Sequence, residues 1–338
     1  SPLGNWRTAA ENNSAISVLE GLRKYDGNEI IYSQGVKLVN KIPDGFHEEV
    51  KLNLTDKSGI SEAKKVAKNA DLVIMVLGEY GFQTGEGRSR ASLDLPGFQQ
   101  ELLEEIYKVN PNIVLVLMNG RPLVLNWSSK NIPAILETWH LGTQSGNAIA
   151  QVIYGDYNPS GKLPMSFPRS VGQVPIYYNH KNTGRPGADG EDTGSVFWSH
   201  YQDEKNTPLY PFGFGLSYTS FRYSKVKLNK DKLIKNDSDE LVASVELSNT
   251  GKIKGKEIVQ LYINDKYSSS TRPVKELKGF KVIELEPGET RNVSFKINNK
   301  MLEYFSSKNK WESEAGVFEI FIGTNSDTKR KESFELVL

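Results

Sequence analysis

Two unbroken apolar runs constrain the fold of this chain more than any other feature. They are Asp71-Leu-Val-Ile-Met-Val-Leu-Gly78 and Ile113-Val-Leu-Val-Leu-Met118. A strand with one wet face alternates apolar and polar residues. A strand buried on both faces does not, so both runs read as strands of a parallel sheet covered by helices. Both are far below the roughly 18–20 apolar residues that a membrane helix needs. Helical spacing surrounds them. Ser14–Tyr25 carries Ile16, Leu19 and Leu22, Ile60–Ala70 is a Lys-rich amphipathic stretch, and Phe98–Val109, opened by Leu95-Pro-Gly97, carries Leu102, Leu103 and Ile106. Ala134–Thr138 reads as a third strand, Gly142–Tyr154 as a further helix, and Glu29–Ser33 as a short strand. Repeated βα units predict an α/β sandwich with a mostly parallel sheet.

The pattern then changes twice. From Pro164 to Tyr218 the chain is rich in Pro, Gly, Asn and Tyr without a sustained period. A stretch of that length is either draped over a surface or functional. From Phe221 onward, alternation takes over, in candidate strands Tyr223–Leu228, Leu241–Asn249, Glu257–Ile263, Lys278–Leu285, Arg291–Ile297, Val317–Gly323 and Ser333–Leu338. Turn signals at Asn249-Thr-Gly251, Glu286-Pro-Gly288 and Glu314-Ala-Gly316 separate them. Short alternating strands at this spacing predict a β-sandwich of immunoglobulin or fibronectin type. The expected organisation is an α/β domain over 1–165, a surface-draped linker over 166–220 and an all-β sandwich over 221–338.

Composition removes several function classes. The chain of 338 residues has no cysteine, which excludes disulfides, thiolate metal sites and a cysteine nucleophile. Its four histidines, His47, His140, His180 and His200, form no His-x-x-x-His pair, and no metal site is expected. A net charge of +1 gives no field to attract a nucleic acid, and neither a nucleic-acid partner nor a membrane span is expected. No Gly-Lys-Ser/Thr or helix-opening Gly-x-Gly-x-x-Gly is present, which argues against a nucleotide site. No Gly-x-Ser-x-Gly elbow supports a serine triad. The chain begins Ser1-Pro-Leu-Gly4 without Met, so it reads as starting inside a longer product or as processed.

In an open α/β sheet, ligands bind beyond the carboxyl ends of the strands. The segment after the first apolar run is Gly78-Glu-Tyr-Gly-Phe-Gln-Thr-Gly-Glu-Gly-Arg-Ser-Arg90. A carboxylate between glycines in such a loop meets little steric cover. Glu86 is the carboxylate flanked by glycines and Glu79 is the other acid of the segment, and either can be a solvated loop acid. Arg88 and Arg90 follow closely, as orienters of the carboxylate or as salt-bridge partners; the second role is favoured for Arg90. His140 reads as a hydrogen-bonded structural histidine rather than a base. Residue by residue, a solvated loop acid and packing tryptophans remain open as the bland alternatives.

Several longer segments make the chain resemble glycoside hydrolase family 3. They include Gly85-Glu-Gly-Arg-Ser-Arg90, Leu95-Pro-Gly-Phe-Gln99, Val116-Leu-Met-Asn-Gly-Arg-Pro-Leu123 and Ala134-Ile-Leu-Glu-Thr-Trp139. The run Gly155-Asp-Tyr-Asn-Pro-Ser-Gly-Lys-Leu-Pro-Met-Ser-Phe-Pro-Arg-Ser-Val-Gly-Gln173 is the most specific. Asn179-His-Lys-Asn-Thr-Gly-Arg-Pro186 and Leu209-Tyr-Pro-Phe-Gly-Phe-Gly-Leu-Ser-Tyr218 resemble the periplasmic β-glucosidase branch. Arg272-Pro-Val-Lys-Glu-Leu-Lys-Gly-Phe280 and Leu285-Glu-Pro-Gly-Glu-Thr290 resemble its appended fibronectin-like domain.

The resemblance implies a bipartite site. A (β/α)8 barrel carries a nucleophilic Asp, and the α/β-sandwich domain carries the general acid/base. Glu86 matches the acid/base, Trp6 in Gly4-Asn-Trp-Arg7 matches a loop that faces the sugar, and Arg88 is a further candidate contact. Retention needs the two carboxyls about 5–5.5 Å apart and no cofactor. No barrel pattern occurs in these residues, and His180-Lys181 does not match the Lys-His pair expected on a barrel. The expectation is therefore half an active site, with the barrel in the same gene product or in a separate chain. Expected substrates are β-glucosides or oligosaccharides cut from the non-reducing end. A homodimer is compatible with the resemblance, and the expected location is periplasmic or secreted. The rival readings are a β-xylosidase or other β-glycosidase, and a non-catalytic carbohydrate-binding or docking module.

Overall fold

A computed structural model describes residues 2–7, 10–11, 13–43, 48–187, 196–236 and 238–338. The chain divides into two compact units. The first is Ser1–Tyr157 with Arg169–Gly172, and the second is Asn158–Pro168 with Gln173–Leu338.

The first unit is a three-stranded parallel sheet with helices on both faces. Its strands β1 (Val73–Gly78), β2 (Ile113–Met118) and β3 (Ala134–Glu137) lie side by side in that order. Val73 pairs with Ile113 and Val114 with Ala134, so all three strands end at one edge. Alternate side chains serve opposite faces. Val116 and Met118 join Val18 and Leu22 of α1 (Val18–Leu22) and Ile149 and Ala150 of α5 (Ser145–Tyr154) in one core cluster. On the other side, α2 (Gly59–Lys68) packs on α3 (Gln99–Tyr107), which contacts β1. A short α4 (Asn126–Asn131) precedes β3.

The start of α1 is set by a capping box, in which Ser17 and Glu20 satisfy each other's backbone N–H groups. Residues 29–33, expected as a strand, are not one. Ile30 packs on the core of α1 and α5, Ile31 and Tyr32 are exposed, and among the described residues no neighbouring strand completes the hydrogen bonds a strand requires.

The second unit is a β-sandwich. Its strands are β4 (Phe221–Tyr223), β5 (Lys227–Leu228), β6 (Lys232–Ile234), β7 (Glu240–Asn249), β8 (Gly255–Asp265), β9 (Glu276–Leu285), β10 (Thr290–Asn298), β11 (Tyr304–Phe305), β12 (Trp311–Glu312), β13 (Gly316–Gly323) and β14 (Lys331–Val337). One sheet runs β10-β7-β4 with β5 on β7, and the facing sheet runs β6-β14-β13-β8-β9. Inward residues of both sheets, including Leu241, Val245, Val259, Leu261, Ile320 and Leu336, form one core. Period-two alternation along these strands built that core. Tyr178, Phe212 and Gly213 of the irregular stretch pack on the outer face of the five-stranded sheet. Tyr178 stacks on Phe212 with 4.3 Å between ring centroids and meets the fully buried Tyr262 edge-on, while Gln260 donates to the carbonyl of Gly213.

Candidate active site

The carboxyl edge of the parallel sheet is held together by one buried acid. Glu79 follows β1 directly, and its side chain is 0% exposed. Its Oε1 lies 2.8 Å from Nη1 of Arg90 and 3.0 Å from Nε of Arg121, and its Oε2 accepts from the backbone N–H of Gly120 at 3.1 Å. Arg121 also donates to the carbonyl of Gln83 at 2.5 Å, and Arg90 to that of Asp94 at 2.9 Å. A buried charge is tolerated only when paired and hydrogen-bonded, and Glu79 is both. It is an anchor for both ends of the loop, with no surface to offer a ligand. Gln99 completes the anchorage by bonding both the N–H and the C=O of Gly78. That accounts for the Gln at the end of Leu95-Pro-Gly-Phe-Gln99.

Glu86 stands apart from this cluster. It lies exposed in a turn closed by the N–H of Arg88 on the carbonyl of Gly85. Gly85 and Gly87, on either side of it, have φ of +106° and +67°, a backbone that other residues adopt only at a cost. The side chain of Asn5 occupies the space where a Cβ on Gly85 would sit. Arg88 is half-buried and reaches the carbonyl of Glu48. Trp6 is 62% exposed, and the next residue, Arg7, lies over the Phe82 ring at 5.2 Å. The structure thus brings the Gly4–Arg7 segment against the Glu86 loop. Arg90, by contrast, turns inward to Glu79.

A second acid sits at the end of β3. Glu137 is pushed up to about 7, mainly by burial, and the nearby Glu79 charge pushes the same way. Hydrogen bonds from the N–H of Trp139 at 3.0 Å and from Asn119 at 3.2 Å act against that rise. Trp139 holds a left-handed backbone with φ of +47°. The next residue, His140, lies with Nε2 3.2 Å from Oγ1 of Thr84. The His180 ring donates from Nδ1 to the carbonyl of Lys181 at 3.2 Å and its backbone carbonyl accepts from the N–H of Val274, and His47 lies outside the described residues.

Arg121, Gln99 and Glu137 were not singled out from sequence. The available signal was their position, because Arg121 and Glu137 lie at carboxyl ends of strands flanking the candidate loop.

Comparison with known proteins agrees with this architecture. The glycosyl hydrolase family 3 C-terminal domain matches residues 1–218, and a fibronectin type III-like domain matches residues 257–326. A periplasmic β-glucosidase of Salmonella typhimurium is 44% identical over 99% of this chain and 44% of its own length. A β-xylosidase of Formosa agariphila is 45% identical over 92% of this chain and 40% of its own. The crystal structure of a β-glucosidase from Listeria innocua in complex with glucose superposes with a TM-score of 0.87 at 33% identity, covering 99% of this chain and 44% of that one. The chain thus spans less than half the length of these relatives. It belongs to glycosyl hydrolase family 3, as its C-terminal domain followed by a fibronectin type III-like domain.

Proposed function

We propose that this chain supplies the general acid/base half of a retaining, exo-acting β-glucosidase. Glu86 protonates the departing glycosidic oxygen and then activates water, while an Asp on a (β/α)8 barrel attacks the anomeric carbon. The barrel comes from the same gene product or a second chain. In this reading residues 1–165 carry the acid/base, 166–220 link, and 221–338 form the fibronectin-like module. Trp6 offers an aromatic face to the sugar's C–H face, and Arg88 borders the same turn. The observation that carries the reading is the contrast between two loop acids: Glu86 is presented between two positive-φ glycines, whereas Glu79 is sealed by two guanidiniums. The names of the Salmonella and Listeria relatives support glucosides as substrates, and the first supports a periplasmic location.

The test is Glu86→Gln in the enzyme that includes the barrel. A poor leaving group needs the proton and dinitrophenolate hardly does, so cleavage of cellobiose falls on the order of 10²–10⁴-fold while glycosylation by dinitrophenyl glucoside is little changed. Azide restores turnover by attacking the glycosyl-enzyme without a base. Equal losses on both substrates without azide rescue would overturn the assignment. The β-xylosidase reading is favoured by the Formosa relative's name, and the ratio of kcat/KM for nitrophenyl xyloside and glucoside decides it.

A further inference from the structure

The imidazole of His140 stands where three segments meet. Thr84 is buried beneath the Glu86 loop, and its hydroxyl donates to the carbonyl of Gly81 at 3.1 Å. A hydroxyl has one proton. With that proton on Gly81, the oxygen receives the Nε2–H of His140 across the 3.2 Å contact. Gly120 packs closely against Thr84, so that a Cβ there would come within 2.6 Å of the Thr84 side chain. Buried Gly4, with φ of +66°, brings its backbone against the same ring; a Cβ there would lie 3.3 Å from Cδ2. The N–H of Gly142 donates to the carbonyl of Pro2 at 2.9 Å, fastening that segment to the chain just after His140. The ring itself is set by the left-handed Trp139, whose N–H Glu137 receives.

Trp6 lies two residues from Gly4, and Glu86 two residues from Thr84. We propose that His140 is a positioning residue, which fixes the Trp6 segment and the Glu86 loop to each other and so sets where the acid stands relative to the departing group. This rests on the reading of Glu86 as the acid/base. His140 touches no reacting atom in this role. It acts by limiting the loop to one arrangement, and a misplacement of even about 1 Å can cost on the order of 10²-fold in rate.

The test uses the barrel-containing enzyme and two pairs of variants. His140→Leu removes the donor, and His140→Gln offers an amide N–H in its place. Thr84→Val removes the acceptor at nearly constant shape, and Thr84→Ser restores it. His140→Leu and Thr84→Val are expected to lower kcat/KM for cellobiose at least 10-fold while changing glycosylation by dinitrophenyl glucoside less than 3-fold. His140→Gln and Thr84→Ser are expected to recover most of the loss. Equal losses on both substrates, or no recovery in the conservative variants, would overturn the proposal, since a merely structural histidine has no leaving-group dependence. If His140→Leu does not fold, the Thr84 pair gives the same decision. Glu86→Gln is measured alongside: absence of leaving-group dependence there refutes the acid/base reading itself, whereas its presence with unaffected Thr84→Val refutes only the role of His140.

Discussion

Arg121 and Glu79 are 42 positions apart in sequence, yet the guanidinium Nε of one lies 3.0 Å from the fully buried carboxylate Oε1 of the other. The pair joins the ends of β1 and β2, and Arg90 brings the far end of the Glu86 loop back to the same carboxylate. The loop is thus pinned at its base and open at its tip.

Glu79→Gln leaves two guanidiniums facing a neutral amide in a buried place. Breaking a buried pair by removing one partner costs about 3–5 kcal/mol. The expected outcome is a lower urea midpoint at unchanged slope, with no dependence of the remaining activity on leaving group and no azide rescue. A shift equivalent to less than about 1 kcal/mol would contradict the pairing.

Glu137 makes stability depend on pH. Its folded value, about 7, lies above the ordinary carboxylate value, so the native state binds the extra proton between the two. Its stabilising contribution is complete below the unfolded value and disappears as pH rises through about 7. Glu137→Gln cannot titrate. Relative to that variant, the wild type is expected to lose at most about 3 kcal/mol between acid and neutral pH. Parallel stability curves for the two proteins across that range would refute the shift.

Lys162 in the run Gly161-Lys-Leu-Pro164 is buried in the second unit. Its Nζ donates to the carbonyl of Gly215, to Oγ1 of Thr324 and to Oε2 of Glu257, at 3.0, 2.9 and 3.1 Å, and Tyr223 donates to the other Glu257 oxygen at 2.8 Å. Lys162→Met strands the carboxylate and is expected to cost about 3–5 kcal/mol, with Glu257→Gln recovering part of it in the double variant. Additive single losses, measured by chemical denaturation, would show that the two side chains do not interact.

Gly85 and Gly87 differ in what an added methyl meets. Gly87 has open space around it and Gly85 has Asn5. Gly87→Ala is expected to cost only the left-handed backbone penalty, about 1–2 kcal/mol. Gly85→Ala must also displace Asn5, and it is expected to lower cleavage of cellobiose by the barrel-containing enzyme more than Gly87→Ala does. The reverse order of the two losses would show that Asn5 does not support the turn.

Local pattern was enough for both architectures. The unbroken apolar runs specified strands buried on both faces, the alternation after Phe221 specified a two-sheet core, and the glycines around Glu86 announced a presented carboxylate. Those signals lie within a few residues of each other, because backbone period and burial are local consequences of side-chain order. The partners of charged groups are not of that kind. Which of Glu79 and Glu86 is sealed depends on Arg121, which reaches Glu79 only because β1 and β2 are neighbours in register. The joining of Gly4, Thr84 and His140 depends likewise on three strand ends and an N-terminal segment converging on one edge. The β-rich residues 29–33 failed to become a strand for the same reason: strand-forming residue types were present, but the parallel sheet placed no strand beside them. Period is written along the chain, whereas pairing between distant residues exists only once the strands have chosen their neighbours.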